Sequence, residues 1–356
     1  MGRKVLLAAG GTGGHIWPAI SFGRWIEGHK EGVSVEYACG KRPLELEIYK
    51  AAGILPHALS MYGSPFSGGG LERLRRARAL STAFFEARNL LKRFKPDVCV
   101  LFGGYLSFPF LAACRLAGVT AVMHEQNAYA GKVTRLAARL GVDVFSGWRS
   151  CEPLVSSRFT YVGVPVREFA QMTQAEAWKR LELPGAMPAG PKVVVFTGSL
   201  GSTPVRNMIG ELSREEQFRG WTFVLPAVAD MTRQEGDNVW LLPKIWDAAP
   251  LFRLADMAVV RAGGSTLTEI GTVGVPSIVV PWRGAADDHQ YHNAVAFIAE
   301  NKAVMWNGGA DKDEFSRKLA KLSSMTGGNS QKTSFRLYNN AGRISEDLWL
   351  AVSSRF

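Results

Sequence analysis

The chain has 356 residues, 47% of them hydrophobic and 21% charged, with 42 Lys and Arg against 31 Asp and Glu for a formal net charge of +11. Such a length exceeds what one core usually supports and predicts two domains, while the absence of any run approaching about 18 apolar residues excludes a helical membrane span. Four scattered cysteines, Cys39, Cys99, Cys114 and Cys151, show no CxxC spacing, which argues against disulfides and structural zinc and fits a reducing compartment.

In chain order, the first apolar run, Val5 to Ala9, is too short for the core of a signal peptide, and none is predicted. Lys4 to Ala9 reads as a strand that runs into the turn Gly10-Gly11-Thr12-Gly13-Gly14-His15, with Pro18 marking the first turn of a helix. Ser34 to Ala38, Asp97 to Phe102, Val119 to Met123 and Asp143 to Ser146 read as further strands, with helices over Leu71 to Phe94, Ser107 to Ala117 and Lys132 to Leu140. Tyr161 to Arg167 reads as a crossing between domains, followed by a helix over Glu168 to Leu181. The strand pattern restarts at Lys192 to Phe196 with the turn Thr197 to Ser202, and a second glycine turn, Arg261-Ala262-Gly263-Gly264-Ser265-Thr266, again opens a helix. A strand over Val275 to Pro281 leads to the polar run Asp287 to Asn293, and Asn339 to Val352 has helical spacing.

Strands alternating with helices predict an α/β fold with two doubly wound parallel sheets. Ligands bind such sheets beyond the carboxyl ends of the strands. Gly10 to His15, Gly103-Gly104-Tyr105, His124-Glu125-Gln126-Asn127 and both second-half clusters fall there.

The glycine turns allow a ligand close to the backbone, and the first N–H groups of each following helix face it. The first turn is not a dinucleotide fingerprint, because Ile16 stands where a third glycine is needed and the second strand ends in Ala38-Cys39-Gly40 without an acid. No Gly-Lys-Ser/Thr closes a Walker pattern. His15 at a helix start is a candidate general base, since the helix dipole favours the neutral imidazole. His124 to Asn127, directly after a strand, are expected to face a cleft, or to brace a loop. Glu269, one helical turn past Ser265, suits a ribose diol, and Gln290 and Asn293 suit sugar hydroxyls. His289 and His292 share a face with Asp287 and Asp288 nearby, but no third ligand is placed by spacing, and no metal is expected.

Charge is unevenly spread: residues 1–165 hold 21 Lys and Arg against 11 Asp and Glu, and the remainder 21 against 20. The stretch Leu71 to Phe94 combines Arg73, Arg75, Arg76, Arg78, Arg88, Lys92 and Arg93 with Leu74, Leu80, Phe84, Phe85, Leu90, Leu91 and Phe94. A basic amphipathic helix of this kind is expected to lie on an anionic membrane surface. A crossover helix with one solvated face is the alternative.

With these residues assembled, the chain resembles the lipid-II-forming N-acetylglucosaminyltransferases of glycosyltransferase family 28. The resemblance runs nearly end to end and rests on Gly10 to His15, Gly103-Gly104-Tyr105-Leu106-Ser107, His124 to Asn127, Arg261 to Glu269, and Asp287-Asp288-His289-Gln290 with Asn293. It implies the GT-B fold, two Rossmann-like domains facing a cleft and closing on the donor. The implied domains are 1–163, with helix 340–356 packing back, and 164–339. It also implies inverting transfer of N-acetylglucosamine from UDP-N-acetylglucosamine to the muramoyl 4-hydroxyl of lipid I, without a required cofactor. Catalytic residues would be His15, Glu125 and His124. Donor contacts would come from Thr12, Gly13, Gly14, Asn127, Arg167, Ser199, Gly264, Ser265, Thr266, Glu269, Gln290 and Asn293. Acceptor contacts would come from Gly13, Gly14, Tyr105, His124 and Asn127. A peripheral position on the cytoplasmic face of the plasma membrane follows, with no nucleic-acid partner. Other sugar transferases of this fold, a UDP-N-acetylglucosamine 2-epimerase, and a nucleotide-sugar binding module without catalysis are the alternatives. Two positions depart from the family: Val164 replaces its asparagine and Leu200 its glutamine.

Overall fold

The computed structural model describes residues 2–63, 71–196, 203–308, 311–325 and 339–356. The chain divides into two compact units, Met1–Arg167 with Ala341–Phe356, and Glu168–Asn340. Among the described residues each unit carries one seven-stranded sheet.

Strands of the first unit are β1 (Arg3–Ala8), β2 (Val33–Gly40), β3 (His57–Leu59), β4 (Val98–Leu101), β5 (Thr120–Glu125), β6 (Val144–Ser146) and β7 (Thr160–Tyr161). They are parallel throughout, in the order β3-β2-β1-β4-β5-β6-β7. Those of the second are β8 (Lys192–Phe196), β9 (Thr222–Leu225), β10 (Arg233–Glu235), β11 (Val239–Leu241), β12 (Met257–Arg261), β13 (Ser277–Val280) and β14 (Ala303–Met305). Their order is β10-β11-β9-β8-β12-β13-β14, with one antiparallel pair, β10 with β11, at the edge. Central strands are runs of apolar residues because both faces are covered by helices: Val5 to Ala8, Val98 to Leu101 and Val193 to Val195 are all buried.

In both sheets the first strand has its successor on one side and a later strand on the other, β1 between β2 and β4, β8 between β9 and β12. The strand order therefore reverses at β1/β4 and at β8/β12, and an open parallel sheet binds ligands at such points.

A second repeated device fastens each reversal at its amino end. The Lys4 N–H donates to Asp97 Oδ2 at 2.7 Å, and the Lys192 N–H to Asp256 Oδ2 at 2.8 Å. In return the Asp97 N–H donates to the Lys4 carbonyl and the Asp256 N–H to the Lys192 carbonyl. The two loops differ in burial. The Lys192 side chain is buried with its ammonium 4.0 Å from Asp256, whereas Asp97 pairs with an exposed Arg3.

Two expectations are corrected. The helix expected over 168–181 spans only Gln174–Arg180, because Thr173 closes its start in a reciprocal cap with Glu176. The polar pair His124 and Glu125 does not follow the strand but ends it, as the last two residues of β5. Helix Leu71–Phe94 forms as expected, with Ala83, Ala87, Leu90, Leu91 and Phe94 buried in the core. Most of its apolar stripe is therefore spent on packing, leaving Phe85 56% exposed beside exposed Arg75, Arg78, Arg88, Lys92 and Arg93. The terminal helix Asn339–Ser353 belongs to the first unit, where Ile344 faces Gly163. All four cysteines are buried thiols. No described helix is long and apolar enough to cross a membrane.

Removing a buried cation's partner costs about 3 kcal/mol, and removing an exposed one's about 1 kcal/mol. Asp256→Ala is therefore expected to lower resistance to urea more than Asp97→Ala; equal losses would contradict the difference in burial.

Candidate functional site

At the carboxyl edge of the first sheet the chain leaves β1, β4 and β5 side by side. Three side-chain devices close the gaps. Helix Gly13–His29 begins at the first turn, so Gly13 and Gly14 contribute N–H groups that have no partner within the helix. Thr12 is its exposed N-cap and makes no side-chain cap. Arg42 donates to the Gly11 carbonyl at 3.0 Å, and Glu45, fully buried, accepts from the Gly40 N–H at 2.7 Å and from the Tyr105 hydroxyl.

The His15 ring stands against the Gly103-Gly104 turn. A Cβ on Gly103 would lie 3.4 Å from the imidazole Nδ1, and one on Gly104 would lie 2.7 Å from the Gly10 carbonyl and 3.3 Å from the ring. Both glycines have positive φ, 73° and 69°, a conformation that admits the turn and clears room for the histidine. His15 Nδ1 lies 2.7 Å from Gln126 Oε1.

His124 is fully buried, with Nε2 2.9 Å from the Gly163 carbonyl and Nδ1 2.8 Å from Gln126 Nε2. Burial lowers its pKa to about 4, against the smaller opposing effects of the Gly163 hydrogen bond and Glu125. The imidazole is thus neutral near pH 7, donating from Nε2 and accepting at Nδ1. Both nitrogens have hydrogen-bond partners inside the protein.

Glu125 is held as closely. It is 2% exposed and accepts from the Asn127 N–H, the Asn127 side-chain amide, the Gly131 N–H and the Thr134 hydroxyl. Four donors on one carboxylate hold the loop between β5 and helix Lys132–Arg139. Asn127 thereby turns its amide nitrogen onto Glu125. Tyr105 likewise commits its hydroxyl to Glu45, and burial followed by that bond pushes its phenol above the ordinary range. Its hydroxyl braces Glu45. Arg167 stacks its guanidinium 4.2 Å above the Trp17 ring. Val164, one of the two family departures, is fully buried and packs where a Cβ on Gly147 would fall.

In the second unit β12 delivers Gly263 as N-cap of helix Gly264–Val273. Gly264 and Ser265 are buried at its start, Thr266 is half-buried, and Glu269 is 6% exposed. Glu269 is therefore not a solvated surface acid. Asn293, fully buried, donates to the Ala262 carbonyl at 3.0 Å and holds the turn. Gln290 Oε1 accepts from the Trp282 N–H at 2.9 Å. His289 Nδ1 donates to the Ala286 carbonyl at 2.8 Å, and Asp288 pairs with Arg283 at 2.7 Å. No three potential ligands among the described residues could hold a metal ion. Ser199 and Leu200 lie outside the described residues.

Sequence reasoning thus brought together His15, His124, Glu125 and Asn127, but gave Gln126 no task and missed Glu45. The only signal for Gln126 was its place inside a polar run. Glu45 carried none, being a lone acid in a helix, Pro43–Ala51.

Residues 5–146 match the glycosyltransferase family 28 N-terminal domain and residues 192–325 match the family's C-terminal domain. A Pseudomonas putida protein named UDP-N-acetylglucosamine--N-acetylmuramyl-(pentapeptide) pyrophosphoryl-undecaprenol N-acetylglucosamine transferase is 34% identical over 316 residues, covering 85% of this chain and 84% of the relative. A Chlorobaculum tepidum protein of the same name is 30% identical over 319 residues, covering 85% of each. Among solved structures, Acinetobacter baumannii MurG superposes with a TM-score of 0.66 at 20% identity, covering 99% of each chain.

Because His124 is neutral when folded and carries a proton more readily when unfolded, the unfolded state binds more protons between the two pKa values. Stability is fully present above pH about 6.5 and declines as the pH falls toward 4, by about 3 kcal/mol in all. A His124→Gln variant should show a flatter stability profile over that window in urea titrations, and an unchanged slope would refute the assignment.

Proposed function

The chain belongs to glycosyltransferase family 28, and we propose on that premise that it moves N-acetylglucosamine from UDP-N-acetylglucosamine to N-acetylmuramyl-(pentapeptide) pyrophosphoryl-undecaprenol. Curated relatives 34% identical over 85% of the chain support the donor and the acceptor. The observation that carries the mechanism is His15: its Nδ1 is held by Gln126, and its ring is walled by two glycines at the strand-order reversal of the first sheet.

In this reading His15 is the general base. Its Nε2 takes the proton of the muramoyl 4-hydroxyl, the hydroxyl oxygen bonds to the anomeric carbon from the face opposite the nucleotide, and the carbon–oxygen bond to UDP breaks with its electron pair leaving on the diphosphate. One displacement inverts the configuration. Gly13 and Gly14 offer backbone N–H groups to the acceptor diphosphate, and Thr12 lies beside them. Gly264, Ser265 and Thr266 open the helix whose N-terminal N–H groups stabilise the charge developing on UDP. Glu269 takes the ribose diol, and Gln290 borders the sugar. Neither glycine turn requires a metal for this chemistry.

We further propose a peripheral position on the cytoplasmic face of the plasma membrane. Five cations, Arg75, Arg78, Arg88, Lys92 and Arg93, are exposed on helix Leu71–Phe94 together with Phe85, and each basic residue near an anionic surface contributes roughly 1 kcal/mol. A lipid-linked acceptor makes such a surface useful.

Incubation with UDP-N-acetylglucosamine and a short-chain lipid I analogue should release UDP. His15→Ala should reduce turnover roughly a thousandfold with UDP affinity unchanged, and Glu269→Ala should weaken UDP binding roughly thirtyfold. Normal turnover by His15→Ala would remove the histidine as base. Separately, replacing Arg75, Arg78, Arg88 and Lys92 by glutamate should abolish sedimentation with phosphatidylglycerol vesicles; retention at the wild-type level would refute the membrane assignment.

A further inference from the structure

The side chain of Gln126 is 1% exposed and makes hydrogen bonds in two directions. Its nitrogen lies 2.8 Å from the His124 backbone carbonyl and 2.8 Å from His124 Nδ1, and its oxygen lies 2.7 Å from His15 Nδ1. A carbonyl can only accept. The group facing it must therefore be the amide nitrogen, which settles which end of Gln126 is which without appeal to the rest of the network. The oxygen then faces His15, and an amide oxygen can only accept, so His15 Nδ1 carries a hydrogen. A neutral imidazole protonated at Nδ1 has its lone pair at Nε2.

The far end of the chain is fixed as well. His124 accepts from Gln126 at Nδ1 and so donates from Nε2 to the Gly163 carbonyl at 2.9 Å. Gly163 has φ +85° and a Cβ there would lie 3.0 Å from Ile344, so its peptide is seated against the terminal helix. The Gln126 backbone is held separately, its carbonyl accepting from the Trp148 indole N–H at 2.9 Å. The donors of His15, Gln126 and His124 all point the same way along the series, toward the Gly163 carbonyl.

We propose that Gln126 is a positioning residue that sets the tautomer of His15, with His124 and the Gly163 carbonyl as its anchor. The arrangement deepens the transferase reading and rests on it for its catalytic meaning, but the tautomer is a property of the unliganded chain. A carboxylate in the place of Gln126 would accept from His15 equally well. The amide adds a donor that fixes its own orientation against His124, and it holds the tautomer without placing a negative charge beside the base.

Two measurements test this. Nitrogen-15 NMR of ring-labelled histidine, with the His15 signal assigned by its loss in His15→Ala, should show protonated Nδ1 and unprotonated Nε2 in the wild type. Gln126→Leu should shift His15 toward the Nε2-protonated form and lower kcat for the lipid I analogue roughly a hundredfold, with KM for UDP-N-acetylglucosamine within about twofold. Gln126→Glu keeps an acceptor toward His15 and should restore both the wild-type tautomer and most of kcat. A residue needed only for packing predicts the reverse order, since a buried carboxylate is worse tolerated than leucine. A wild-type His15 protonated at Nε2 overturns the proposal even if a variant fails to fold, and so does wild-type kcat in Gln126→Leu. If instead the tautomer follows Gln126 as stated while His15→Ala retains full turnover, the relay stands and the assignment of His15 as base falls.

Discussion

A parallel sheet satisfies its backbone along the strands and leaves it exposed where the chain departs from them. The carboxyl edge must therefore be closed by side chains, or it stays open to a ligand. In the first unit that constraint governs three buried polar side chains. Glu45 closes the exit of β2 by accepting from Gly40, Glu125 closes the exit of β5 with four donors, and Gln126 bridges the exits of β5 and β1 through His15. Each of these side chains is at most 2% exposed. Once they have taken their partners, His15 Nε2 remains as the ring nitrogen pointed away from the Gln126 contact. The rigidity of the edge and the direction of the base come from the same bonds.

The frame of this edge was legible in the sequence. Apolar runs of strand length separated by helical stretches gave the two parallel sheets, and glycines directly after β1 and β12 marked two of the strand exits. The division of labour within each polar cluster was not legible, because a histidine or an acid that braces and one that reacts are the same residue type. The partners of these side chains lie elsewhere in the chain: Gly163, 39 residues further on, for His124, and Gly131 and Thr134 for Glu125. The partner of Tyr105, Glu45, is 60 residues away in sequence. Long-range hydrogen bonds leave no period or spacing to read. Helix Leu71–Phe94 shows the complementary case, where periodicity located the helix correctly but could not say how much of its apolar face the core would take.

The two units repeat a frame and depart from it at the ends that matter. Asp97 and Asp256 tie down equivalent first strands through the same pair of bonds, one from the backbone N–H to the carboxylate and one back to the carbonyl. At the opposite edge the first unit carries an imidazole in its opening helix and the second carries a buried carboxylate, Glu269, in the helix after β12. A helix start attracts anions in both cases. What differs is the side chain the helix carries, an imidazole in the first unit and a carboxylate in the second.

That divergence explains why an amide, and not an acid, stands at position 126. A carboxylate beside His15 would hold the same tautomer, but it would add negative charge at an edge whose helix start, with Gly13 and Gly14, is read here as the seat of an acceptor diphosphate. It would also lose the donor that faces the His124 carbonyl, leaving two acceptors 2.8 Å apart in a buried place. Under the transferase reading, an uncharged residue at position 126 gives up the stabilisation an ion pair would lend a protonated His15. In exchange it keeps the edge open to phosphate, so in that reading glutamine answers to the charge of the acceptor as much as to the proton that moves.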